Sequence, residues 1–91
     1  MRYTATALAE INQILSYIAA DSLGAAADVA DEIKDAVARI SENPKLAPVV
    51  YDGEVRAIIA GRFDYRIFYV IYGDELIIRN VRSMKRSRPW E

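Results

Sequence analysis

The hydrophobic period of this chain changes once, across "NPKLAP" at residues 43–48, and that change limits the folds open to it. Before it, apolar residues recur every three or four positions, as on one face of a helix; after it they recur near every second position, as on a strand. Leu8, Ile11, Leu15 and Ile18 follow one another at 3, 4 and 3, with Ile14 beside them and Glu10, Asn12, Gln13 and Ser16 on other faces. That spacing predicts an amphipathic helix from Thr6 to Ala20, capped by Thr4 or Thr6, with Arg2 to Thr4 alternating as a short strand ahead of it. Ala26, Ala30, Ile33, Val37 and Ile40, at 4, 3, 4 and 3, predict a second helix that Ser22 or Asp21 caps and Asn43-Pro44 ends. Asp28, Asp31 and Glu32 sit in its N-terminal half, where the helix dipole favours them. Alanine at 26 and 30 lets a facing helix approach closely, so the two form an αα-hairpin.

Beyond the change of period, "EVRAIIAG", "DYRIFYVIY" and "ELIIRNVR" are rich in Ile, Val, Tyr and Phe and predict three strands. Gly73-Asp74 has the Gly-first composition of a type II′ hairpin, and Gly61 can supply positive φ in the turn before. On the middle strand Tyr65, Ile67, Tyr69 and Ile71 share one face, and Arg66, Phe68, Val70 and Tyr72 the other. The helix pair can cover one of these largely apolar faces; the second needs another partner. The expected fold is α+β in the order β-α-α-β-β-β, an αα-hairpin on one face of a small, mainly antiparallel sheet, with residues 1–91 as a single domain.

Composition removes several chemistries. With no histidine and no cysteine, the usual general base, thiolate nucleophiles and Cys or His metal sites are all absent, so catalysis would have to run on Lys, Arg, Tyr and carboxylates. Gly61 and Gly73 lie in turns, outside any phosphate-loop context, and Asp28, Asp31, Glu32 and Asp35 at helical spacing read as a solvated acidic face. No cofactor and no metal are expected. No apolar run approaches the ~18 residues of a membrane span, and "MRYTATALAE" has no secretory pattern, which points to the cytoplasm. A formal net charge of -1 does not suit a domain that holds nucleic acid by neutralising phosphates, so direct sequence-specific DNA binding by this chain alone is not expected.

That charge is polarised. Residues 1–45 carry four basic and seven acidic side chains, residues 46–91 eight and six. Arg79, Arg82, Lys85, Arg86 and Arg88 crowd into "RNVRSMKRSRPWE", which then closes on Pro89 and Trp90. The stretch reads either as a solvated charged end or as a contact surface for an acidic partner. Trp90 favours a surface, since an indole beside guanidinium groups calls for packing, a cation–π contact or a stacked base; folding back onto the domain from Pro89 would also serve it. Arg56, Arg62 and Arg66 form a second basic group, of which Arg56 and Arg66 are readable as surface charges paired with Asp52, Glu54 or Asp64. Tyr65, Phe68, Tyr69 and Tyr72 read as core and cross-strand packing ahead of a base-stacking platform.

Three segments in their order, "ALAEINQILSYIA" from Ala7, "FDYRIFY" from Phe63 and "VRSMKRSRPW" from Val81, resemble the RelE/ParE superfamily, the toxins of bacterial type II toxin–antitoxin pairs. The resemblance spans nearly the whole chain and implies neutralisation by a cognate antitoxin in a hetero-oligomeric complex. In the ribosome-dependent RNases of the superfamily, arginines hold the scissile phosphate, and by position Arg56, Arg66 and Arg86 inherit those roles. Many relatives carry a histidine near the position of Ser83, and the mRNA-cutting ones lysines ahead of the second strand and a tyrosine near the end. Here those places read Ser83, "YDGEV" and Trp90. The resemblance is therefore nearer ParE, which implies growth arrest by binding and inhibiting DNA gyrase, with Arg82, Lys85, Arg86, Arg88 and Trp90 as the target-binding set and no catalytic residue. The alternative it implies is a ribosome-dependent mRNA endonuclease using Arg56, Arg66, Lys85 and Arg86. A superfamily fold reduced to an interaction module without toxicity is a third class.

Overall fold

A computed structural model describes residues 1–61 and 64–84. The expected elements Arg62, Lys85, Arg86, Arg88, Pro89 and Trp90 lie outside the described residues. The order is β1 (Arg2–Tyr3), α1 (Ala5–Ala19), α2 (Leu23–Glu42), β2 (Val49–Tyr51), β3 (Val55–Ala60), β4 (Tyr65–Tyr72) and β5 (Glu75–Ser83). Among the described residues the strands form one sheet in the order β1-β5-β4-β3-β2, antiparallel except where β1 runs parallel to β5. This is the α+β fold expected, with one strand more.

Both helices start where a side-chain oxygen takes up a free amide. Thr4 Oγ1 accepts from the Ala7 N–H at 3.0 Å and donates to the Arg79 carbonyl at 2.9 Å, which ties the start of α1 to β5. Ser22 Oγ accepts from the Ala25 N–H at 3.0 Å, and the Asp21 and Ser22 amides bond back to the Ile18 carbonyl. So short a link makes α1 and α2 an antiparallel hairpin. On α2 the buried stripe is Val29, Ile33, Ala36, Val37 and Ile40; Ala26 and Ala30, expected within it, are half-buried at its margin. On α1 only Ala7 is fully buried, Ile11, Ile14, Leu15 and Ile18 pack partly against the core, and Leu8 is exposed. Leu8 lies a step round the helix from the line of Ala7, Ile11 and Ile18, and that step takes it out of the core.

The strand registers divide the sheet into two faces. Ile58 and Ala60 of β3, Ile67 and Tyr69 of β4, and Leu76, Ile78 and Val81 of β5 join the α2 stripe in one buried cluster. Val55, Phe68, Val70 and Ile77 belong to the opposite face, and Val55 and Ile77, though buried, stand outside that cluster. The β4–β5 register shifts between Phe68, which faces Asn80, and Tyr69, which faces Ile78, so Arg79 is the extra residue of a bulge. Simple alternation would put Ile77, Arg79 and Val81 on one face. The bulge instead sends Val81 to the core opposite Ile67 and leaves Ile77 beside Val70.

The additional strand, β2, lies in the Pro-punctuated connection. All three of its residues are exposed, so no alternation marks it, but a turn signal does. Asp52 and Gly53 both have positive φ, at 55° and 69°, the conformation of an Asp-Gly type I′ hairpin between β2 and β3. Tyr51 thereby reaches across to Phe68, ring centroids 6.1 Å apart, and part of the second sheet face is covered from within the chain. The β4–β5 hairpin has Gly73 at φ 63° as expected. Gly61, also at positive φ, abuts the Glu32 carboxylate, where a Cβ would collide.

Candidate functional site

The far end of β5 carries the basic character onto the described surface. β1 pairs with β5 at Ile77 and Ile78, so from residue 79 onward the outer edge of β5 has no strand beside it among the described residues. α1 crosses there, and its Glu10 takes the strand's place. Glu10 Oε1 accepts from the Val81 N–H at 2.9 Å and from Asn80 Nδ2 at 3.3 Å, and Oε2 lies 3.6 Å from Arg82 Nε. The Glu10 side chain keeps 22% of its exposure against 62% for Arg82, so the carboxylate is held inside while the guanidinium reaches outward. Beside this contact an open groove of about 480 Å³ runs between α1 and β5, lined by Glu10, Gln13, Ile14, Tyr17, Arg82 and Ser83.

Arg66 stands directly opposite Arg82 across the β4–β5 pair. Two like charges so placed repel, and among the described residues each has one partial counter-charge: Glu10 for Arg82, and for Arg66 the Asp64 carboxylate 3.8 Å from its Nε. That is too far for a hydrogen bond, and the Arg66 Nε is buried with no hydrogen-bond partner among the described residues. Asp64 holds positive φ, 60°, in the turn that brings its carbonyl to the Met84 amide.

Arg56 has a different task. It faces Tyr69 in the β3–β4 register, on the helix side of the sheet, and its Nη1 donates to the Ala47 carbonyl at 2.6 Å and the Lys45 carbonyl at 3.4 Å. Tyr69, fully buried, donates its hydroxyl to the Pro44 carbonyl at 2.7 Å. Burial raises its pKa above the usual 10.0, a rise opposed by a backbone hydrogen bond from Ala47 and by the Arg56 charge; Tyr3 is raised by burial alone. Arg56 and Tyr69 thus fasten the link between α2 and β2. Arg56 and Arg66 lie on opposite faces of the sheet, so the fold brings Arg66 together with Arg82 and keeps Arg56 apart from both.

The sequence matches the family model of the ParE toxin of the type II toxin–antitoxin system, parDE, over residues 1–90. The chain belongs to the ParE toxin family. Its fold is similar to that of a solved structure of the chromosomal ParDE toxin–antitoxin system from P. aeruginosa, with a TM-score of 0.76 at 16% identity, over 90% of this chain and 91% of that one. No curated protein matches it in sequence.

Of the target-binding set expected for this ParE toxin, Arg82 is described and stands exposed at the strand end; Lys85, Arg86, Arg88 and Trp90 follow it outside the described residues. Of the set expected for an RNase, Arg66 is half-buried on the open face, Arg56 is tied to backbone carbonyls on the other, and Lys85 and Arg86 are not described. Among the described residues no cluster of three or more acidic, His or Cys side chains could hold a metal, and no helix is long and apolar enough to cross a membrane. Glu10 is the residue that pattern reasoning missed, since it reads as one of several polar positions on α1. The signal was its spacing from Ile14 and Tyr17, four and seven residues on, which aligns a carboxylate with the groove side of the helix.

Proposed function

We propose that this ParE toxin arrests growth in the cytoplasm by binding DNA gyrase and inhibiting it, and that it does so without cleaving a substrate. The exposed end of β5 and the basic aromatic stretch after it, Arg82, Lys85, Arg86, Arg88 and Trp90, supply the contact. The observation that carries a binding toxin is the separation of Arg56 from Arg66: a phosphate-holding site built on both would need them on one face, and Arg56 is already committed to the Lys45 and Ala47 carbonyls. The rival reading, a ribosome-dependent mRNA endonuclease, draws on the Arg66–Arg82 pair, where two guanidinium groups with long counter-ion distances suit an anion. Purified toxin assayed for gyrase supercoiling and for translation-coupled mRNA cleavage distinguishes the two. Inhibited supercoiling with intact mRNA is the expected result; cleaved mRNA with unaffected supercoiling would overturn the gyrase reading.

The cognate antitoxin would cover the apolar surface the chain leaves open. Leu46, Val50 and Ile59 are exposed around a recess of about 480 Å³ that Arg39 and Arg66 flank, which suits an acidic, apolar segment that folds on binding. Purification from the native operon should bring a small acidic protein with the toxin, and its absence would count against this partner.

A further inference from the structure

We infer that Glu10 is a positioning residue for the target-binding end: it holds the edge of β5 beyond β1 and fixes where Arg82 stands at the end of that strand. The inference rests on the reading of that end as the contact surface and adds a residue, on a different element, on which it depends.

Three observations carry it. First, β5 continues past the reach of β1, which is only two residues long, and a strand edge without a partner leaves amides unmatched. One carboxylate then meets the edge at consecutive residues, with the Val81 N–H at 2.9 Å and Asn80 Nδ2 at 3.3 Å. Second, the bulge at Arg79 has just inverted the side-chain alternation of β5, so the register of Val81 and Arg82 depends on contacts made after it. Thr4 Oγ1 fixes the Arg79 carbonyl on one side of that irregularity, and Glu10 fixes the Val81 amide on the other. Third, the second oxygen of the same carboxylate is a counter-charge for Arg82, which among the described residues otherwise faces the like charge of Arg66 across the strand pair. Without it, repulsion from Arg66 would let the Arg82 side chain swing away from the position from which it meets a target.

The test compares Glu10→Ala and Glu10→Gln, each alone and combined with Arg82→Ala, by gyrase supercoiling and by growth arrest on titrated expression. Glutamine keeps an acceptor for the Val81 amide and loses the charge opposite Arg82, so it also serves if the alanine variant fails to fold. With circular dichroism unchanged, Glu10→Ala should raise the toxin concentration for half-inhibition roughly tenfold and Glu10→Gln roughly threefold, the losses expected when a charge-assisted contact is removed or weakened. Amide exchange at Val81 should quicken in Glu10→Ala and little in Glu10→Gln. In the Arg82→Ala background, Glu10→Ala should add only about threefold, because the part of its effect that runs through Arg82 is already lost while the Val81 contact is still removed. Equal penalties in both backgrounds, or a folded Glu10→Ala as potent as the unaltered protein, would overturn the inference. If the unaltered toxin arrests growth but leaves gyrase untouched, the gyrase reading falls while Glu10 is still judged on growth arrest. If it does neither, both fall.

Discussion

The two faces of one strand divide the labour of this molecule. On β4, Ile67 and Tyr69 turn inward and are completely buried, whereas Arg66 and Phe68, their immediate neighbours, turn to the face the helices do not cover. Apolar burial on the first side holds the sheet to the hairpin. Cations and aromatic rings on the second lie where a partner can meet them. A strand can do both because its side chains alternate, so stability and recognition need share no residue.

Substitutions can break or sharpen that division. The largest stability loss is expected from Ile33→Ala, which opens a cavity in the buried cluster and should cost roughly 2 to 5 kcal/mol in thermal or denaturant unfolding. A loss under about 0.5 kcal/mol would show that α2 does not pack through Ile33. On the recognition side, Trp90→Ala should weaken target binding by about 2 kcal/mol, measured by titration, with stability unchanged.

Tyr69→Phe removes one buried hydrogen bond and should cost about 1 kcal/mol at neutral pH. It should also alter the alkaline limb of the stability curve. The folded-state pKa of Tyr69 is raised, so its contribution is fully present below the unfolded value of 10.0 and is lost as pH rises through the folded one. The phenylalanine variant should therefore lose less stability above about pH 10 than the unaltered protein, with Tyr3 sustaining the remainder. The smallest effect belongs to Arg66→Ala. Relief of its repulsion with Arg82 offsets the lost packing, and the net change should stay within about 0.5 kcal/mol.

The features legible in the sequence were those set by local chemistry. The change of period announced the hairpin and the sheet, Thr4 and Ser22 marked the helix starts, and Gly73 marked the β4–β5 turn. The features that escaped it depend on residues distant in sequence. The bulge at Arg79 is a relation between β5 and β4, and no spacing within β5 reveals that Ile77 and Val81 part company. Glu10 gains its meaning only because β1 stops short of Val81, seventy-one residues away along the chain. β2 is the exception, since Asp52-Gly53 is a local hairpin signal overlooked in favour of its charge.

The proposed contact with the target lies in the basic end, and stability resides elsewhere. Deleting residues 85–91 and measuring gyrase supercoiling and growth arrest beside the melting temperature tests this division directly. Inhibition and arrest should be abolished while the melting temperature stays within about 2 °C of the full chain, because the buried cluster of the described residues is already complete in a chain that ends at Met84. A truncated protein that remains fully toxic would contradict it and return the charges of 85–91 to an ordinary solvated end.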